Sequence, residues 1–172
     1  MVRTILKSDF GSLMLQKISE LEFRTEVRLG LAQKILLAET GTVEQVLSII
    51  VGSPVKVKVV EQKENAKTIT RQSLILDQSG RVLVKACSKV FILNLPAKIV
   101  SRIRRQKSGI GTIITSSGLE TFRKIVQVGY DPANRSVFRK YQIICKKKVA
   151  FEITEELVGI DSGHKEFELT IP

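Results

Sequence analysis

The chain has 172 residues, of which 43% are hydrophobic and 26% charged, with a formal net charge of +11. That length suits one core-forming domain, taken as residues 1–172, and no stretch approaches the ~20 apolar residues that a membrane span requires. Two cysteines and one histidine cannot supply a usual zinc ligand set.

The N-terminal stretch lacks the apolar run and small-residue cleavage site of a secretory signal, so a cytoplasmic protein is expected, with Cys87 and Cys145 as buried, reduced thiols. Cations crowd the segment from Arg102 to Lys148, where only Glu120 and Asp131 oppose them. Such an imbalance implies an anionic ligand or a solvated basic face.

Two amphipathic helices are predicted to lead the fold. Residues 26–38 place Val27, Leu31, Ile35 and Leu36 about one face, and the next segment repeats the pattern with Val43, Val46, Leu47 and Ile50. Gly52 and Pro54 end the second helix, and "VKVKVVEQ" then alternates as a half-buried strand does. Strands over 68–76 and 82–92 form a hairpin about "DQSG", followed by a helix in "NLPAKIVSRIRRQ" with Asn94 as its cap and Ile99, Val100 and Ile103 as its apolar stripe.

The stretch 106–118, "QKSGIGTIITSSG", reads as a loop in which Gly109 and Gly111 allow close backbone approach. It is not a phosphate loop, because no Gly-Lys-Ser/Thr follows the first glycine at the required spacing, and it lacks the Rossmann pattern. Residues 119–128 carry both a capping-box spacing and a β-branched run, and the strand reading is preferred. Further strands are expected in "VFRKYQII" and "VAFEITEEL", joined through "CKKK", with a short last one in "KEFELTI". Helices first and a run of turn-linked strands afterwards predict an α+β fold with one antiparallel sheet.

Period-two alternation then selects the residues that could carry chemistry. In "FEITEEL" it puts Glu155 on one face with Phe151, Ile153 and Leu157. In "TITRQSLIL" it aligns Arg71 with Ile69, Ser73 and Ile75, and Arg139 shares a face with Tyr141, Ile143 and Cys145. A carboxylate on an apolar face needs a cation, a hydrogen-bonding ligand or a raised pKa, unless the strand end reaches water. If the three faces meet, two guanidinium groups and a carboxylate enter one cavity, which suits a small acid bearing a hydroxyl. A serine-hydrolase triad is excluded by a lone His164 without a nucleophile elbow. With only 5% aromatic residues and no stacking motif, no nucleic-acid partner is expected from charge alone.

Taken in order, "ILLAETGTVEQVL", "RQSLIL", "VFILNLP", "SGIGTIITSS" and "FEITEEL" resemble the chorismate lyase family (chorismate–pyruvate lyase, 4-hydroxybenzoate synthase), in its divergent prokaryotic branch of short proteins. The resemblance runs from about Leu31 to Leu157. It implies an antiparallel sheet with helices packed against it around a closed ligand cavity, and elimination of pyruvate from the dicarboxylate chorismate without a metal or organic cofactor. By the same resemblance Arg71 binds the ring carboxylate, Glu155 meets the ring hydroxyl, and Gly109 and Ile110 belong to a loop touching the ligand. Arg139 or a neighbouring lysine would hold the enolpyruvyl carboxylate.

Two departures bear on pocket shape. Thr42 stands where better-known bacterial members carry a ligand-contacting methionine, and "KKKVA" replaces a Gly-Pro before the glutamate strand. A rival expectation is a non-catalytic sensor of aromatic acids, because the effector domains of some transcription regulators look similar in fold.

Overall fold

The computed structural model describes residues 10–160. Three helices come first: α1 (Phe10–Thr25), α2 (Leu31–Ala38) and α3 (Val43–Val51). The strands β1 (Lys56–Glu64), β2 (Thr68–Leu76) and β3 (Val82–Phe91) follow, then α4 (Ala97–Arg104) and α5 (Ile110–Ser116). The strands β4 (Phe122–Asp131), β5 (Ser136–Cys145) and β6 (Lys148–Leu157) complete the set. All six strands join one antiparallel sheet in the order β1-β2-β3-β6-β5-β4. The α+β class is as the sequence predicts.

Chain order does not match spatial order, because β6 returns to lie between β3 and β5 and so stitches two three-stranded meanders together. This return carries Glu155 from the end of the described chain to the middle of the sheet. The inward face of the sheet meets the helices over two apolar clusters. One gathers Ile69, Val90, Phe151 and Ile143 beneath α4 and α5, and the other gathers Leu36, Leu37, Leu47 and Leu83 beneath α2 and α3.

Several expectations change. A helix precedes the two predicted ones: Met14 and Ile18 of α1, spaced by four, are both buried. α2 begins at Leu31 rather than at residue 26, where Glu26 takes a positive φ of 57° and breaks the backbone. Its inward face is Gln33, Leu36 and Leu37, while Leu31 and Ile35 are exposed. α3 follows its predicted stripe through Val43 and Leu47, and Gly52 ends it at φ 69°, a conformation that favours glycine.

Asn94 does not cap α4. Pro96 holds that position, and the Asn94 amide instead donates to the Val149 carbonyl at 2.8 Å, tying the α4 approach to β6. Cys145 is buried, but Cys87 is exposed, because alternation along β3 places it on the outer face with Lys85 and Lys89. The stretch around Gly109 and Gly111 is not an open loop: Gly109 is the N-cap of α5, and Gly111 lies inside that helix. The predicted last strand in "KEFELTI" lies outside the described residues, as does His164. Among the described residues no helix is long and apolar enough to cross a membrane.

Candidate active site

Register places the polar residues on the inner face in neighbouring rows across the sheet. One row runs Arg71, Ser88, Ile153, Tyr141, and the next runs Ser73, Ala86, Glu155, Arg139. The pleat turns every one of these side chains to the helical side. Arg71, Arg139 and Glu155 are 1%, 1% and 2% exposed, so all three inward assignments from alternation hold in the structure.

A cavity lies over these rows, with Arg71, Ser73, Ser88, Tyr141 and Glu155 in its floor and Glu44, Gly109, Ile110 and Gly111 closing it from α3 and α5. Two of the candidate residues stand apart from its walls. Thr42 is the N-cap of α3, and its hydroxyl lies 3.5 Å from that of Thr115, so it joins α3 to α5 instead of lining the void. Arg139 sits behind Glu155.

Arg139 is fully engaged. Its Nε donates to Glu155 Oε2 at 2.8 Å and its Nη2 lies 2.7 Å from the same oxygen. Its Nη1 donates to the Glu39 carbonyl at 2.6 Å, and Nη2 also pairs with Glu39 Oε1. Burial disfavours its charge, but Glu155, Tyr141 and Glu39 outweigh burial and hold the guanidinium above the ordinary arginine value. The Tyr141 hydroxyl donates to Glu155 Oε1 at 2.8 Å, and burial followed by the Glu155 charge pushes its pKa well up, so Tyr141 remains a donor. Glu155 thus accepts three bonds. An ionised carboxylate offers about four acceptor sites, which leaves one on the Oε1 side for a ligand hydroxyl.

Arg71 is held differently. Its Nε donates to Ser73 Oγ at 3.1 Å and its Nη2 to the Ser108 carbonyl at 2.6 Å, while the buried Nη1 has no partner. Burial lowers its pKa and Glu44 partly restores it, yet arginine remains protonated at any physiological pH. This is a desolvated cation with no carboxylate bonded to it. In such surroundings a carboxylate ligand gains far more than it would at the surface.

Two residues in the cavity were not singled out from the sequence. Glu44 enters from the first turn of α3 and lays its carboxylate against α5, so that a Cβ at Gly109 would meet Oε1 and one at Gly111 would lie 2.7 Å from Oε2. Gly109 has φ −63°, which any residue adopts, so glycine is needed here for room and not for backbone freedom. Arg123 reaches the cavity from β4. The signal for Glu44 is its place in the "TVEQVL" turn, but only the packing of α3 on α5 turns that position inward.

Burial raises the Glu44 pKa, and Glu155 adds to this, against Arg123 and the Thr112 hydroxyl. A folded-state pKa above the unfolded value of about 4.3 means that the folded chain binds the proton more tightly. The contribution to stability is therefore full below that pH and is lost as pH rises through the folded value. Glu44→Gln is expected to raise the melting temperature at pH 7, with the gain shrinking as the pH falls through the folded-state pKa and gone below about 4.3. Thermal unfolding across pH checks this, and a variant less stable than the parent at pH 7 would contradict it.

The cavity volume is about 40 Å³, so a ring-sized ligand enters only when the Glu44 head and its surroundings move aside. Among the described residues no cluster of three or more His, Cys, Asp or Glu side chains is placed to hold a metal ion.

No family model matches the chain. Among curated proteins it is similar to the chorismate pyruvate-lyase of Mycobacterium tuberculosis strain H37Rv, with 26% identity over 167 aligned residues, covering 77% of this chain and 84% of that protein. To the chorismate pyruvate-lyase of Mycobacterium leprae the identity is 29% over 161 residues, covering 77% of each. A protein of Methanocaldococcus jannaschii, provisionally named a lyase with no substrate given, is 34% identical over 140 residues, covering 72% of this chain and 76% of that one.

Proposed function

The chain belongs to the chorismate lyase family, and from that premise we propose that it eliminates pyruvate from chorismate to leave 4-hydroxybenzoate. In this reaction the ring carbon–oxygen bond to the enolpyruvyl group breaks, a ring proton leaves, and the ring becomes aromatic. The freed enolpyruvate ketonises to pyruvate. Aromatisation drives the reaction downhill, so the protein has chiefly to bind, orient and exclude water.

The observation that carries the reading is the pairing of a cation with no bonded carboxylate and a locked carboxylate on the floor of one cavity. Arg71 on β2 and Glu155 on β6 stand two strands and one row apart, a backbone separation of about 12 Å. Long side chains reach inward from both, which suits a six-membered ring with a carboxylate at one end and a hydroxyl at the other. Arg71 takes the ring carboxylate through its free Nη1, and Glu155 accepts from the ring hydroxyl through Oε1. Arg139 acts through Glu155: it holds the carboxylate in place, and Tyr141 sets its orientation. Substrate entry displaces the Glu44 carboxylate from beside the glycines of α5.

The test is incubation of purified protein with chorismate and quantification of both products against a protein-free control. Equimolar 4-hydroxybenzoate and pyruvate above background are expected, and Glu155→Gln should reduce kcat/KM about 100-fold. Absence of turnover, with 4-hydroxybenzoate still raising the melting temperature, would replace the lyase with an aromatic-acid sensor on the same scaffold.

A further inference from the structure

Chorismate carries two carboxylates, and Arg71 accounts for one. The other inward guanidinium, that of Arg139, has Nε, Nη1 and Nη2 all bonded, to Glu155 and to Glu39. The cluster of Arg139, Glu155 and Glu39 holds two carboxylates for one cation, so it repels a further anion.

A second cation does face the cavity. Among the described residues that line it, Arg71 and Arg123 are the two cations. Arg123 sits on β4, in the row that runs through Ile69, Val90, Phe151 and Ile143. Its Nη1 donates to the Thr40 carbonyl at 3.1 Å, which anchors the side chain to the segment between α2 and α3. Its Nε is buried and has no partner. A buried N–H without an acceptor is costly, and a carboxylate beside it would relieve that cost. Fork-shaped pairing of a guanidinium edge with two carboxylate oxygens is the strongest such contact.

Position supports the same assignment. Arg71 and Arg123 stand four strands apart, with backbones about 19 Å from each other, and approach the cavity from opposite sides of Glu155 and Tyr141. Glu44 lines the same cavity, and its carboxylate is near enough to both arginines to interact with their charges. Removing that carboxylate from the cavity leaves two cations to receive one dianion.

Resting on the chorismate reading, we infer that Arg123 binds the enolpyruvyl carboxylate and so distinguishes the two-carboxylate substrate from the one-carboxylate product. The product keeps its contacts to Arg71 and Glu155 and loses this one, which favours its exchange for substrate.

The test compares wild type, Arg123→Gln and Arg123→Lys in chorismate turnover and in 4-hydroxybenzoate binding, the latter read by inhibition and by thermal shift. Arg123→Gln is expected to lower kcat/KM for chorismate about 30- to 100-fold, chiefly through KM, with 4-hydroxybenzoate affinity within about threefold of wild type. Arg123→Lys, which keeps the charge but not the fork, should fall between the two. Retained product binding shows that the variant is folded. Turnover by Arg123→Gln within about threefold of wild type, or parallel loss of substrate and product affinity, would overturn the inference while leaving the lyase reading in place. A wild-type protein that neither turns over chorismate nor binds 4-hydroxybenzoate would overturn both.

Discussion

Arg71→Met is expected to lower kcat/KM for chorismate by about two to three decades, with a melting temperature equal to or above that of the wild type. The two halves of this result have one cause. Arg71 is 1% exposed, and among the described residues its bonded partners are the Ser73 hydroxyl and the Ser108 carbonyl. A desolvated cation so placed adds little to folding, since neutral dipoles compensate burial less well than a carboxylate does. It contributes to ligand binding instead: a substrate carboxylate at Nη1 completes an ion pair whose desolvation is already largely met. Loss of such a partner costs about 3 kcal/mol, or about two decades in rate. Methionine fills most of the space, so no large void forms. Steady-state kinetics with thermal unfolding tests the pair of outcomes, and activity within tenfold of wild type would remove Arg71 from the site.

Arg139→Met should behave in the opposite way. It is expected to destabilise the fold by about 3–5 kcal/mol at pH 7, the range found when one partner of a buried ion pair is removed. The side chains of Glu155 and Glu39 are 3% and 9% exposed, and both would be left without their cation. Urea unfolding at pH 7 reads the loss. A loss below about 1 kcal/mol would show that the triad is not held by its ion pairs. Activity falls as well, because Glu155 loses the partner that fixes its direction.

Much of this site is written in short-range pattern. β2 spans the nine residues that alternation marks, and the same rule turns Arg71, Arg139 and Glu155 inward. Pleating explains why: successive side chains must take opposite faces, whatever lies beyond the strand. The Cys87 thiol obeys that rule too, and the expectation of burial failed by weighing residue type above period. α5 reads as a loop in the sequence because two glycines look like one when nothing indicates what fills the space beside them. What fills it is Glu44, which comes from a helix 68 residues earlier than its Thr112 contact.

Arg71 and Arg139 also show where pattern stops. Each is an arginine on the inward face of a strand, with apolar or hydroxyl neighbours at two-residue spacing, and nothing local separates them. The difference comes from partners far along the chain. Glu39 approaches Arg139 across a sequence separation of 100 residues, and β6 folds back to set Glu155 beside it. Among the described residues Arg71 hydrogen-bonds a carbonyl 37 residues away and its own strand's serine. Which face a side chain takes follows from the backbone beneath it, and the chain states this directly. Whether its charge is neutralised or left for a ligand depends on which distant segments pack against it, because Coulomb attraction in a dry interior is settled by separation in space and not by order in the chain.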